Sequence, residues 1–318
     1  MKHGLLLWIC LCLGCHVFAQ QTKAVKENGV LKLLDAQGHY LLGYQYTIKY
    51  PPPGIDSAFG RAGFIHPLKT LSGKVLTRIQ PPDHRHHYGL WNPWTHMQYK
   101  GKIYDLWNLG EHQGTVKHVQ FNRIVDDSSA VGFSAKHAHV AFTGPGQETE
   151  LLDEDWEIMV TPIDDKRYRC DLRSVYQVPI DDTVTLVQYR YAGLGLRATE
   201  QWTNQNSKVL TSSGKTRKDA DGSLERWILV YGKVDGADAG VLFLSYPDNF
   251  NHPEPVRVWP EQENKGRGDV FVNFSPTKNK DWPLAPHQTY QLRYRLIVFD
   301  GTLSAAEAEA FWKDFAKK

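Results

Sequence analysis

The chain has 318 residues and a formal net charge of +2, with no basic stripe and no acidic tail. That balance argues against nucleic acid and acidic membrane surfaces as partners. Ten Trp and fifteen Tyr make a high aromatic load, which suits both a large core and the stacking of apolar sugar faces.

Met1-Lys2-His3 supplies a positive start, Leu5 to Leu13 is apolar, and Val17-Phe18-Ala19 offers a small-residue cleavage site. The apolar run is too short to span a bilayer and no second candidate follows, so no transmembrane span is expected. Residues 1–19 therefore read as a signal peptide, and the mature protein as periplasmic or secreted. Leu13-Gly14-Cys15 partly matches a lipoprotein box, but Cys12 stands where such boxes carry Leu, which favours cleavage after Ala19. Cys10, Cys12 and Cys15 lie in this leader and leave Cys170 alone, so no disulfide framework or Cys-rich zinc site is available. Cys170 sits in an alternating strand pattern and reads as a core thiol.

Residues 20–318 carry no Pro/Gly/Ser linker and read as a single β-sandwich domain. Period-two runs mark strands at Val30–Leu34, Tyr44–Tyr50, Trp156–Val160, Thr183–Val187 and Gln291–Val298. Only one helix is expected. Ser304 caps it with Glu307 three residues on, and Ala308, Phe311, Trp312 and Phe315 form its apolar stripe. Parallel βαβ folds need helices between strands, and these are missing. The fold class is therefore all-β, a large antiparallel β-sandwich with one C-terminal helix.

The segment richest in chemistry runs from His66 through Pro81-Pro82-Asp83-His84-Arg85-His86-His87-Tyr88-Gly89-Leu90-Trp91 to Trp94. If locally extended, His84 and His86 share one face and could hold a divalent metal with a third ligand from elsewhere. Imidazoles also serve as acid/base groups near neutral pH. Hydrogen-bonded structural histidines at a strand edge are the plainer alternative. Glu111 and His112 follow in a Gly-bounded loop, as acid/base partners or as a solvated turn. Arg197 follows a Gly-x-Gly and carries a fork of donors, while strand parity places Glu200 on the opposite face. Lys215-Thr216-Arg217-Lys218-Asp219 reads as a solvated charged turn. Asn249 sits in a proline-framed loop able to reach over a pocket.

The His-rich segment, together with Phe64-Ile65-His66-Pro67-Leu68, Gly193-Leu194-Gly195-Leu196-Arg197 and Pro247-Asp248-Asn249, resembles a family of exported bacterial β proteins labelled methane oxygenase PmoA. The resemblance covers nearly the whole mature chain, and the label implies a metal-dependent oxygenase. His86-His87-Tyr88-Gly89-Leu90-Trp91 is also similar, more weakly, to the His-Gly turn of aldose epimerases. That likeness implies a galactose-mutarotase-like supersandwich. The combined expectation is a carbohydrate-active enzyme using acid/base chemistry of the hydrolase, lyase or epimerase type. His84, His86 and His87 would line its site, with Glu111 or Glu200 as partner. His66, His112, Arg197 and Asn249 would contact substrate, and Trp91 and Trp94 would form a stacking wall. A non-catalytic glycan-binding protein and a metal enzyme built on His84 and His86 are the alternatives.

Overall fold

The computed structural model describes residues 21–127 and 129–317. The leader, its cleavage site and the lipoprotein box lie outside the described residues. Among the described residues the strands form three sheets, and every paired strand runs antiparallel to its neighbours. One sheet has nine strands. It runs from Lys23–Glu27 through Val30–Leu34, Tyr40–Gln45, Phe64–Leu68, Leu90–Trp91, Gly195–Arg197, Phe271–Phe274 and Glu254–Val258 to Leu224–Glu225. A second has eight longer strands, with Arg167–Gln177, Gln147–Pro162 and Val131–Gly144 adjacent. A short four-stranded sheet carries Met97–Tyr99 and Val184–Leu186 at its centre.

The main core lies between the two large sheets, because alternation turns one row of each strand inward. Ile65, Leu90, Leu196 and Val272 come from the nine-stranded sheet, and Trp156, Ile158, Leu172 and Leu296 from the other. Cys170 is part of it, and burial pushes its thiol well above the usual range, which removes thiolate chemistry at neutral pH.

The expected strand at Tyr44–Tyr50 is displaced. The strand is Tyr40–Gln45, and the chain then turns, with Tyr46 and Thr47 donating to the Gly29 carbonyl. Ile48 and Tyr50 are left 52% and 59% exposed, so their alternation did not mark a buried face. The other expected strands lie within or overlap observed ones.

The eight-stranded sheet is apolar on its outer face too, with Trp227, Leu229, Leu242, Leu244, Ile297 and Phe299. Helix Ala305–Ala316 covers that face with Ala308, Phe311, Trp312 and Phe315. Its start is a capping box. Ser304 Oγ accepts from the Glu307 N–H at 3.2 Å, and Glu307 Oε2 accepts from the Ser304 N–H at 2.9 Å. Replacing Ser304→Ala leaves the Glu307 N–H unpaired at the helix start. Urea unfolding is expected to show a loss of about 1 kcal/mol.

Candidate active site

The nine-stranded sheet places its functional face by parity. Where Ile65, Leu90, Leu196 and Val272 point into the main core, the alternating positions Phe64, Trp91, Arg197 and Phe271 point to the outer side. There Phe64, Tyr88, Trp91, Trp107, Leu109, Trp259 and Phe271 form a separate aromatic cluster. Gly195 keeps it compact, since a Cβ at that position would meet the Trp107 ring at 3.1 Å and Phe271 at 3.2 Å.

Over this floor the loop 80–87 folds as two successive turns. The His84 N–H donates to the Pro81 carbonyl at 3.0 Å, and the His87 N–H to the His84 carbonyl at 3.1 Å. The prolines remove donors and bend the chain, so the segment is not extended and the expected face-sharing of His84 and His86 does not apply. Instead His84, His86 and His87 converge, with ring centroids 4.9–5.5 Å apart. Arg85 turns away and donates to the Gln80 carbonyl at 2.9 Å. His87 rests on Phe271 and Trp91, and His84 on Trp259.

The three imidazoles open into a cavity of about 340 Å³. Trp107, Trp259 and Phe271 supply its aromatic walls, and Asn108, Arg190, Tyr191, Arg257 and Glu263 its polar groups. Asp105 fixes the Trp107-Asn108 turn by accepting both backbone N–H groups at 2.8 Å. Tyr191 then donates to Asn108 Oδ1 at 3.1 Å. Burial, then the charges of His84 and Arg197, lower the His86 imidazole to about 4. Burial drives His87 well below the usual range too, and its Nδ1 has no protein partner. Both rings are therefore neutral at pH 7.

Beneath the cavity lies a buried ion cluster. Arg197, 0% exposed, donates through Nη2 to Asp83 at 2.7 Å and to Asp269 at 2.5 Å, and stacks 4.7 Å from the Trp259 ring. Burial raises the Asp83 carboxyl, but hydrogen bonds from His84 and Arg197 and the Arg197 charge win and hold it well below the usual carboxylate range.

The wall carrying Trp259 and Glu263 is pinned from behind. Arg217, expected in a solvated turn, is 4% exposed and gives its guanidinium to four carbonyls, those of Trp259, Pro260, Gly268 and Asp269, at 2.7–3.0 Å. A fork of five donors is what makes such a clamp possible. Its place in a charged run hid it from sequence reasoning.

Several expected site residues lie elsewhere. Trp91 and Trp94 are not among the residues that line the cavity; Trp91 lies beneath His87, and Trp94 sits in the main core by Tyr176 and Trp282. Trp107 and Trp259 take the wall positions instead. Glu111 and His112 are exposed outside the cavity lining, His112 paired with Asp56 at 2.8 Å. His66 and Glu200 line a different hollow, where His66 Nδ1 meets Thr77 Oγ1 at 2.9 Å. Asn249 is buried, bonded to Glu254 Oε1 at 2.8 Å and to both backbone groups of Arg293. Among the described residues no three His, Cys, Asp or Glu side chains converge as a metal site, so His84 and His86 lack the expected third ligand.

Sequence reasoning missed a second buried group as well. Glu154 Oε2 accepts from His139 Nε2 at 3.0 Å and faces His137 Nδ1 at 3.2 Å. Tyr44 Oη bridges His137 at 2.7 Å and His118 at 2.8 Å. The signal was parity: Glu154 shares the inward row of Leu152 and Trp156, and His137 and His139 that of Phe133 and Ala135.

Two tests follow from this geometry. Arg217→Met leaves the buried carbonyls of Trp259, Gly268 and Asp269 without their guanidinium donor, so stability is expected to fall by at least about 2 kcal/mol. Hydrogen exchange should quicken across 259–269 while strand 147–162 stays protected; uniform loss of protection would count against a local clamp. The second concerns pH. His86, His66 and His118 are each lowered to about 4, so the unfolded chain binds more protons than the folded one between about pH 4 and 6.5. Stability from these groups is full above that window and lost as pH falls through it. Glu254, raised to about 7 by burial, acts with the opposite sign. Thermal midpoints of wild type and His86→Asn should therefore converge as pH falls from 6.5 to 4.

No curated protein matches the chain. Heparan sulfate lyase HepC from Pedobacter heparinus aligns at TM-score 0.40 and 9% identity, over 89% of this chain and 37% of the lyase. The chain thus spans little more than a third of that enzyme's length. A galactose mutarotase related enzyme from Lactobacillus acidophilus aligns at TM-score 0.41 and 9% identity, over 89% and 100% of the two chains. A GalM/aldose epimerase homologue from C. elegans aligns at TM-score 0.36 and 11% identity, over 89% and 99%. Similarity this remote says nothing of substrate or reaction. Nothing supports the methane oxygenase label. Residues 33–313 match the family of unknown function DUF6807, and the chain belongs to that family.

Proposed function

We propose that the chain is an exported enzyme, periplasmic or secreted, that acts on a sugar or glycan by acid/base chemistry in the His84–His86–His87 cavity. The observation that carries this reading is the convergence of three imidazoles and Glu263 on one aromatic-walled cavity of about 340 Å³. That volume suits a ligand of one or two sugar rings. Trp107 and Trp259 offer apolar faces, while Asn108, Tyr191 and Arg257 offer hydrogen bonds to hydroxyls.

The division of labour follows from protonation. A neutral His86 accepts a proton at pH 7, and a neutral His87 presents an unpartnered Nδ1. Glu263 is the carboxylate of the cavity lining, and with His86 it is the candidate acid/base pair. Hydrolysis, β-elimination and epimerisation each need such a pair. Arg197 acts from beneath, holding Asp83 and through it the orientation of His84.

The test is turnover of a neutral and acidic oligosaccharide library, followed by product analysis. His86→Ala and Glu263→Gln are each expected to lower kcat by about 10²-fold or more with the fold intact. Unchanged turnover in both variants would overturn the reading. Sugar binding without turnover, kept in His86→Ala and lost in Trp259→Ala, would instead establish a glycan-binding protein.

A further inference from the structure

We propose that the cavity selects an anionic sugar, one bearing a carboxylate or a sulfate, and that Arg190 receives the anionic group. This rests on the sugar-active reading above and narrows its substrate class.

In the lower layer Arg78, Arg197 and Arg267 share the two carboxylates of Asp83 and Asp269. At the rim Arg257 and Lys278 share the single carboxylate of Asp221, at 2.8 and 3.4 Å. Arg190 makes no ion pair among the described residues. Its guanidinium lies 5.3 and 5.6 Å from the Tyr191 and Tyr189 ring centroids, and its carbonyl accepts from Lys278 Nζ at 2.8 Å. The one carboxylate of the lining, Glu263, completes the set. Within the lining itself two guanidiniums, Arg190 and Arg257, stand against the one carboxylate of Glu263, a local surplus of positive charge.

Position decides what this surplus does. A solvated arginine on a convex surface is screened and worth little. Arg190 is exposed, but it stands at the mouth of a concave site whose aromatic walls focus the field on whatever enters. A guanidinium edge matches the paired oxygens of a carboxylate or sulfate. With the His86 and His87 rings neutral, they do not supply the countercharge, so the anionic group falls to Arg190, with Lys278 and Arg257 behind it.

The experiment is a glycan array of neutral, uronate-bearing and sulfated oligosaccharides, followed by titration of the best binder and its neutral counterpart. Wild type and Arg190→Gln are compared at low and high NaCl. An acidic ligand is expected to bind at least about tenfold tighter than its neutral counterpart, with the advantage shrinking as salt rises. Arg190→Gln should lose that advantage while keeping the wild-type thermal midpoint. The uronate and sulfated arms decide which anion is meant. Equal binding of neutral counterparts, or a preference that survives in Arg190→Gln, overturns this inference and leaves the sugar-active reading standing. Binding to no sugar on the array overturns both.

Discussion

Arg197 is the point on which the site depends. A guanidinium with no exposure to water needs its charge matched by partners that stay in place, and removing one carboxylate from such a group costs about 3–5 kcal/mol. Its two partners come from distant segments: Asp83 from the His-rich loop and Asp269 from the segment after Trp259. One buried cation therefore ties the loop that carries the imidazoles to the wall that carries Glu263, with the sheet as anchor. Asn264 and Arg267 add further bonds to Asp269, so the wall is held at both ends. The site's shape follows from the need to neutralise one charge.

Two other buried carboxylates show how local partners decide a proton's fate. Glu154 is fully enclosed, which raises its carboxyl, yet His137 and His139 as hydrogen-bond donors bring it well below the usual range. Glu254 is enclosed to the same degree, but Ser245, Asn249 and Tyr294 are neutral donors, and it rises to about 7. The His137 and His139 bonds outweigh desolvation in one case, and the hydroxyl and amide bonds fail to in the other. Glu154 stiffens the contact between the two large sheets, whereas Glu254 ties Asn249 and Tyr294 beside the helix-covered end.

The fold was legible because it is written in local periods. Alternation at Val30–Leu34, Trp156–Val160 and Gln291–Val298 and the Ser304/Glu307 capping box each depend on neighbours in sequence. The His-rich loop was legible as a site because prolines and histidines concentrate there. Its partners were not, because their meaning is non-local. Arg217 looks like one charge in a solvated run until the carbonyls of Trp259 and Gly268 arrive from more than forty residues away. Trp91 and Trp94 looked like a wall because tryptophan count carries no direction. Strand pairing sends Trp91 under the imidazoles, and Trp94 goes into the main core. Glu154 was recoverable from parity alone, since a carboxylate on the row of Leu152 and Trp156 must be buried.

The site exists because the nine-stranded sheet is apolar on both faces. Phe64-Ile65, Leu90-Trp91 and Phe271-Val272 are buried on each side, so the outer face needs a cover as much as the inner one. On the eight-stranded sheet an amphipathic helix provides the cover and closes the surface. Here loops provide it, and loops bring backbone groups that must be paired once water is excluded. Gln80, Arg217 and Asn273 supply those pairs, Gln80 to the Lys49 and Phe59 carbonyls and Asn273 to those of Ala192, Leu194 and Phe274. A helix would have sealed the aromatic face. A loop cover pinned at a few points leaves a gap between its pins, and that gap is the cavity where the imidazoles meet.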